Sequence, residues 1–312
     1  MPETAAIRVA ATPGRSGAFY AVAAYGLWGL FPAYFLLLVP AGPIEIVAWR
    51  VLFSVVFCAL VITAMRKWPT LVAIVKQPRL LFTMGLAAIL IFINWQVYVY
   101  ATLSGQVVAS ALGYFINPIV TILLGVIFLR ERLRIAQWTA VGISAIAVAL
   151  LAINYGEFPW ISLALAFSFA LYGLIKNLVG GKVDALSGLT IETTWLIPVA
   201  IAQLVFVGFT TGVTFGNASI GNTLLLMSAG VVTAVPLLLF AAGASRLPLV
   251  YLGLIQYLTP LLQFVFGVFV MHEAMPFDRW MGFGLVWIAL MILSVDMVAS
   301  GRAARRALPL PG

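Results

Sequence analysis

The chain has 312 residues, of which 64% are hydrophobic and 8% charged, with a formal net charge of +8. Soluble domains carry about a quarter charged residues, so this composition excludes a soluble enzyme or a nucleic-acid-binding domain despite the basic surplus. The single cysteine, Cys58, lies in an apolar run, which excludes a disulfide framework within the chain and reads as a buried structural thiol.

In chain order, the first 15 residues are polar and rich in small residues, with Arg8 and Arg15. No short apolar stretch ending at a small-residue cleavage site precedes the first long segment, so that segment is expected to be retained rather than removed as a signal peptide. A membrane helix needs about 20 apolar residues. Ten segments meet that length: roughly 17–39, 43–65, 79–101, 105–129, 135–154, 158–177, 185–210, 219–242, 247–271 and 279–299. Short connections make consecutive helices antiparallel neighbours. The expected fold class is therefore an all-α polytopic membrane protein with ten transmembrane helices.

If the N-terminus is cytoplasmic, all of the 17 Lys and Arg except Arg50 and Arg279 fall in inside loops or at inside ends. That is the positive-inside pattern, and it places both termini in the cytoplasm. The basic runs then face anionic lipid, not nucleic acid.

The chain also repeats. GYFINPIVTILLGVIFLRERLRIAQW, from Gly113 to Trp138, is echoed by QYLTPLLQFVFGVFVMHEAMPFDRW, from Gln256 to Trp280. Pro118 and Pro260, Gly125 and Gly267, Glu131 and Glu273, and Trp138 and Trp280 are each 142 residues apart. Each half would hold five helices, an odd number, so the second half enters the membrane from the opposite side. Such an inverted-topology repeat is the arrangement many secondary transporters use for alternating access. The expected organisation is a cytoplasmic tail (1–16), a first repeat (17–154), a second repeat (155–299) and a basic cytoplasmic tail (300–312).

Several runs carry a family resemblance. WGLFPAY (Trp28–Tyr34), Glu45–Arg50, NWQVYVYA (Asn94–Ala101), GYFINP (Gly113–Pro118) and RERL (Arg130–Leu133) resemble the RarD family. So do ETTWLIP (Glu192–Pro198), TAVPLLLF (Thr233–Phe240) and QYLTP (Gln256–Pro260). RarD proteins are EamA-domain members of the drug/metabolite transporter superfamily. The resemblance spans about Gly17 to Ser300 and implies ten helices, two EamA repeats and a bacterial inner-membrane location. It names no cargo.

Ionisable groups inside a membrane helix are costly and need a reason. Arg50 lies about seven residues into its helix from outside, and Glu192 about seven from inside, each about 10 Å deep at 1.5 Å per residue. They too are 142 apart, so opposite charges occupy equivalent positions. They are expected to flank a central substrate site, one anchoring a negative group and the other a positive group or proton. The competing reading is an ion pair that locks the halves together. Glu45 and Lys176, near helix ends, are expected to reach the interface and be solvated, with Lys176 within range of Glu192. His272 lies in an outer hinge without a second His or Cys nearby in sequence, so no metal site is expected. Asp296 is expected at the inner interface.

Polar and aromatic residues extend the candidate pocket: Asn94, Trp95 and Tyr98 on one helix, with Asn117, Gln256, Tyr257 and Trp28. Prolines at Pro32, Pro118, Pro236 and Pro260 are expected to break helices and free carbonyls four residues earlier, which need partners inside a membrane. The chain has no GxxxxGK[ST] loop, no HExxH pair and no GxSxG elbow, so neither ATP coupling by that route nor an intramembrane enzyme is expected. The functional expectation is a secondary transporter, an exporter of a small organic metabolite or drug, without cofactors. Its partners are a small-molecule substrate and the lipid bilayer; nucleic acid is not expected, and a homodimer is compatible with the sequence. The alternative is a non-transporting scaffold or channel subunit.

Overall fold

A computed structural model describes residues 15–130, 133–154, 158–179, 182–244, 246–247 and 249–306, and among them every regular element is a helix. The elements are α1 (Arg15–Gly29), α2 (Phe31–Leu37), α3 (Pro43–Ala64), α4 (Trp68–Val75), α5 (Pro78–Leu103) and α6 (Val107–Leu129). They continue as α7 (Ile135–Asn154), α8 (Trp160–Leu178), α9 (Ala185–Thr210), α10 (Ile220–Ala244), α11 (Leu249–Ile255), α12 (Leu258–Val265) and α13 (Phe277–Arg306), with a π-helical turn at Phe266–Val270 after α12. Proline opens α3, α4 and α5, where its missing N–H is one of the first-turn donors left without an intrahelical partner.

Helices fall on all ten predicted segments. By length and composition, eight candidate spans cross a membrane among the described residues, or nine if the α1–α2 pair, bent by 43°, is one span. The apolar part of α7, Ile135–Leu151, is shorter than these. The sequence reading gave no separate place to α4, which buries Leu71 and Ile74 on one side. Phe19, Phe82, Phe209 and Ile220 are among the large apolar side chains left exposed on the outer surface. In water such a surface would aggregate; against lipid it is solvated.

Two of the predicted helix breaks are corrected. Helix α6 runs through Pro118, and α10 runs through Pro236. Both helices are tied to their neighbours beside the proline: Asn117 Nδ2 donates to Ala166 O of α8 at 3.1 Å, and Thr233 on α10 accepts from Arg50 of α3. Pro32 instead stands at the start of α2, after the bend, and Pro260 stands in the first turn of α12, after the interruption at Gln256–Tyr257.

Side chains pack as two large clusters. One gathers α2, α3, α5, α9 and α10 around Phe35, Val47, Met84, Trp95 and Leu226. The other gathers α6, α7, α12 and α13 around Phe115, Phe264 and Phe283. Helix α8 joins both, through Leu165 and Ala166. Close approach sets the geometry of the first cluster: a Cβ on Gly230 would meet Phe53 O at 2.2 Å, so only glycine lets α10 lie this near α3.

The two ends of the bundle differ. At one end, Glu45 Oε1 accepts the N–H groups of Thr214 and Phe215 at 2.8 and 3.0 Å, and Trp49 Nε1 at 3.3 Å. Glu45 is 1% exposed, which corrects the expectation that it is solvated. The loop between α9 and α10 folds over it because two backbone donors outside any helix need an acceptor. At the same end, Glu273 Oε1 accepts Val107 N at 2.6 Å and Val108 N at 3.1 Å, capping α6, and Asn222 Nδ2 donates to Leu38 O at 2.7 Å. At the opposite end, Arg134 pairs with Asp296, and Arg134 is half exposed. Glu131, the counterpart of Glu273, lies outside the described residues.

Candidate substrate-binding site

Helix α3 carries Arg50 into the region between α2, α5 and α10, where it is 5% exposed. Its Nε donates to Thr233 Oγ1 of α10 at 2.8 Å, and the Thr233 hydroxyl in turn donates a hydrogen bond to Ala229 O at 2.8 Å. The guanidinium carbon lies 4.3 Å from the Trp95 ring centre, 5.4 Å from Phe31 and 5.5 Å from Phe35. Three aromatic rings from α2 and α5 thus enclose a cation. A desolvated cation–π contact stabilises by about 2 kcal/mol, against about 2.5–3.5 kcal/mol for placing Arg at the centre of a membrane helix on insertion scales. The rings offset part of that cost. A carboxylate partner does not: neither of the two ion pairs formed among the described residues includes Arg50.

Tyrosines form the next layer. Tyr98 contacts Phe35 and Tyr114, with ring centres 5.9 and 5.7 Å apart. Tyr114 O–H donates to Asn94 Oδ1 at 3.0 Å, while Asn94 Nδ2 donates to Leu165 O and Ser168 Oγ. Asn94 is therefore engaged on both sides and fixes Tyr114 against α8. Tyr34 O–H donates to Leu225 O at 2.8 Å and shares a hydrogen bond with Ser228. The hydroxyl of Tyr98 is buried beside the side chains of Gln263 and Thr102, and neither it nor Gln263 Oε1 has a partner within 3.5 Å among the described residues.

Glu192, 2% exposed on α9, is held differently. Lys176 Nζ of α8 donates to Oε1 at 2.7 Å, and Tyr172 O–H donates to Oε2 at 3.1 Å. One expectation is corrected here, and one competing reading is not met. Lys176 does not extend to the interface but turns back to the carboxylate, because burying an unpaired charge costs more than ordering the lysine stem. No ion pair joins Arg50 to Glu192: the glutamate is paired with Lys176, and Arg50 has no acidic partner among the described residues.

Comparison with known proteins finds relatives over most of the chain. Residues 15–153 match the EamA-like transporter family. Protein RarD of Streptomyces exfoliatus is 46% identical over 93% of this chain and 92% of its own length. Protein RarD of Escherichia coli (strain K12) is 39% identical over 92% of this chain and 97% of its own. The chain belongs to the RarD family of EamA transporters. The uncharacterized transporter YojE of Bacillus subtilis is 40% identical, over 93% of this chain and 97% of that protein. A solved crystal structure shares the fold at a TM-score of 0.57 and 15% identity, covering 90% of this chain and 98% of the other.

Against this RarD-family fold, the predicted residues sort into those that meet and those that do not. Arg50 and Trp95 belong to the cage, Tyr98 and Asn94 stand in the layer behind it, and Pro236 lies one turn beyond Thr233. Trp28 packs on Tyr25 and Phe240, and its carbonyl accepts Gln263 Nε2 at 3.3 Å, which places it at the edge. Tyr257 packs in the other cluster. Asn117 is spent on α8, and Gln256 stands at the α11–α12 interruption. Sequence reasoning missed Phe31, Phe35, Tyr34, Thr233, Tyr114 and Tyr172. The first three lie in or beside the WGLFPAY run, and Thr233 opens TAVPLLLF, so the runs marked the region without assigning these side chains. A separate cavity of about 80 Å³ lies near Gln106, Trp160 and Arg279, at the Glu273 end and away from Arg50.

Proposed function

We propose that this chain is a secondary transporter that exports a small organic metabolite or drug across the bacterial inner membrane by alternating access. In this reading the ten helical segments all cross, as two inverted five-helix repeats (17–154 and 155–299), with both termini cytoplasmic and the Glu273 end facing out.

The observation that carries the reading is the pattern of helix packing. Under the 142-residue offset, α1–α2 corresponds to α8, α3 to α9, α5 to α10, α6 to α11–α12 and α7 to α13. The contact of α6 with α8 has its counterpart in α12 with α1, and that of α5 with α8 in α10 with α1. The contact of α3 with α10 has its counterpart in α9 with α5. Three further pairs, α3 with α9, α6 with α12 and α7 with α13, join equivalent helices directly. This supports two interlocked copies of opposite orientation, able to exchange their roles at the two membrane faces.

Arg50 would meet the cargo at the centre, while Glu192, with Lys176 and Tyr172, would exchange the coupling proton. The ties of Glu45, Glu273 and Asn222 close the outer end and must part for release. Burial pushes the Glu273 carboxyl above the usual carboxylate value, with the N–H groups of Val108 and Val107 and the charge of Arg279 opposing it.

Uptake and efflux by the purified protein in liposomes, over a broad metabolite panel, test the proposal. Proton-dependent movement of one class of compound is the expected result. No movement in either direction would favour a non-transporting scaffold, and passive movement indifferent to a proton gradient would favour a channel subunit.

A further inference from the structure

The Arg50 guanidinium has five N–H donors, of which only Nε–H has an acceptor among the described residues, Thr233 Oγ1. Its two terminal nitrogens, the fork that binds a carboxylate side-on, face no acidic side chain within ion-pair distance. The described acids are all committed or remote. Glu192 is taken by Lys176 and Tyr172, and Glu45 and Glu273 cap backbone donors at one end. Asp184 caps α9, Asp296 pairs with Arg134, and Asp278 lies in the first turn of α13. Beside the cage, the buried Tyr98 hydroxyl faces Gln263 and Thr102 without a partner within 3.5 Å, so its proton is available to a better-placed acceptor.

The site therefore offers positive charge and hydrogen-bond donors, walled by Phe31, Phe35 and Trp95, and no carboxylate among the described residues lies within ion-pair distance of it. We infer that Arg50 is the docking point for an acidic group of the cargo, so that the cargo is a small organic anion with an apolar body. The acid supplies the two acceptors that the fork lacks, Tyr98 O–H donates to the same group, and the rings cover the body. A cation would be repelled by Arg50 and find no free carboxylate. A neutral amide would satisfy one N–H and leave the charge uncompensated. This inference rests on the transport reading and names the cargo class for it.

The test uses the full-length protein in lipid nanodiscs and a series with one apolar body: benzoate, benzamide and benzylamine, with chloride as an inorganic control. Titration calorimetry and thermal shift read binding. Benzoate is expected to bind and stabilise, and benzamide and benzylamine to bind about 10-fold more weakly or not at all, since a site built around a charged group rejects partners that leave it unpaired. Arg50→Lys keeps the charge but loses the fork, and is expected to weaken benzoate about 10-fold. Should Arg50 variants fail to fold, Tyr98→Phe is expected to weaken benzoate by about 3-fold or more and leave benzamide unchanged. The inference is overturned if benzamide or benzylamine binds as well as benzoate, if chloride reproduces the effect, if Arg50→Lys binds normally, or if none of the series binds.

The same preparations in liposomes separate this failure from failure of the transport reading. Benzoate that binds through Arg50 but is not moved leaves the docking point standing and removes the transporter. Movement of the neutral or cationic compounds without benzoate binding does the reverse.

Discussion

Arg50 and Glu192 occupy equivalent places in the two halves of the chain, and their surroundings differ in kind. Glu192 has a lysine at 2.7 Å and a tyrosine hydroxyl at 3.1 Å, so its charge is neutralised on the spot. Arg50 has one neutral hydroxyl and three rings. The repeat sets where a charge can sit, while the neighbouring helices decide what it does. Under the same offset the position of Lys176 corresponds to Tyr34, whose hydroxyl is already bonded to α10. The second half carries its own counter-ion where the first carries a phenol.

That comparison can be broken from either side. Arg50→Met removes an unpaired charge and fills the cage with a side chain of similar reach. Transport of the natural cargo should fall by about 100-fold or more, as for loss of a central charged anchor. Thermal stability should hold or rise, since replacing buried charge by apolar volume is neutral or stabilising by about 1–4 kcal/mol. Reconstituted flux and a melting curve on one preparation read both. Lys176→Met does the opposite by stranding Glu192. A fully buried orphan costs about 3–5 kcal/mol, and the partial exposure of Lys176 brings the expected loss to about 2 kcal/mol. The double variant Lys176→Met, Glu192→Leu should recover most of it, and an unrecovered melting temperature would show that the pair is not what holds this region.

Smaller effects sharpen the frame around the two charges. Gly230→Ala drives a methyl against the Phe53 carbonyl, backbone that cannot rotate away, at a cost of about 3 kcal/mol for overpacking. It should also part Arg50 from Thr233, one turn on, so circular dichroism melts and flux should fall together. At the Glu273 end the expected effect depends on pH. Burial raises the Glu273 carboxyl while the loop is closed. The closed end then holds this proton more tightly than an open, solvated loop would. Acidification from neutral pH through that raised range favours the closed outer end, and alkalinisation favours opening. Labelling of Gln106→Cys by an impermeant maleimide, in a Cys58→Ser background, should therefore rise from low to high pH, while the same variant carrying Glu273→Gln stays near the low-pH level throughout, so that the two diverge as pH rises. A ratio that does not change with pH would remove Glu273 from the gate. The smallest effect is expected at the opposite end: Arg134→Gln breaks a half-exposed pair and should shift stability by about 0.5 kcal/mol or less by thermal melt.

Much of the frame was legible because lipid simplifies the code. Apolar length marked all ten helical segments, and the costs of buried charge singled out Arg50 and Glu192. What was not legible lies in relations between helices. Phe31 and Phe35 look like any apolar residues until the bend after Gly29 turns them toward α3. Glu45 and Lys176 sit near helix ends, where sequence alone favours solvation, yet a loop covers one and a carboxylate captures the other. Pro118 and Pro236 carry a strong local signal for a break, yet both helices run through, each packed beside its proline on a neighbour through Asn117 to the α8 backbone and Thr233 to Arg50 of α3. The short α4 was hidden by lying between two long apolar runs.

The most direct test of the central claim compares benzoate flux into liposomes for wild type, Arg50→Met and Glu192→Gln under an imposed proton gradient. The account predicts that Arg50→Met abolishes flux with folding intact, while Glu192→Gln still binds benzoate and loses the response to the gradient. Flux preserved in Arg50→Met would contradict it.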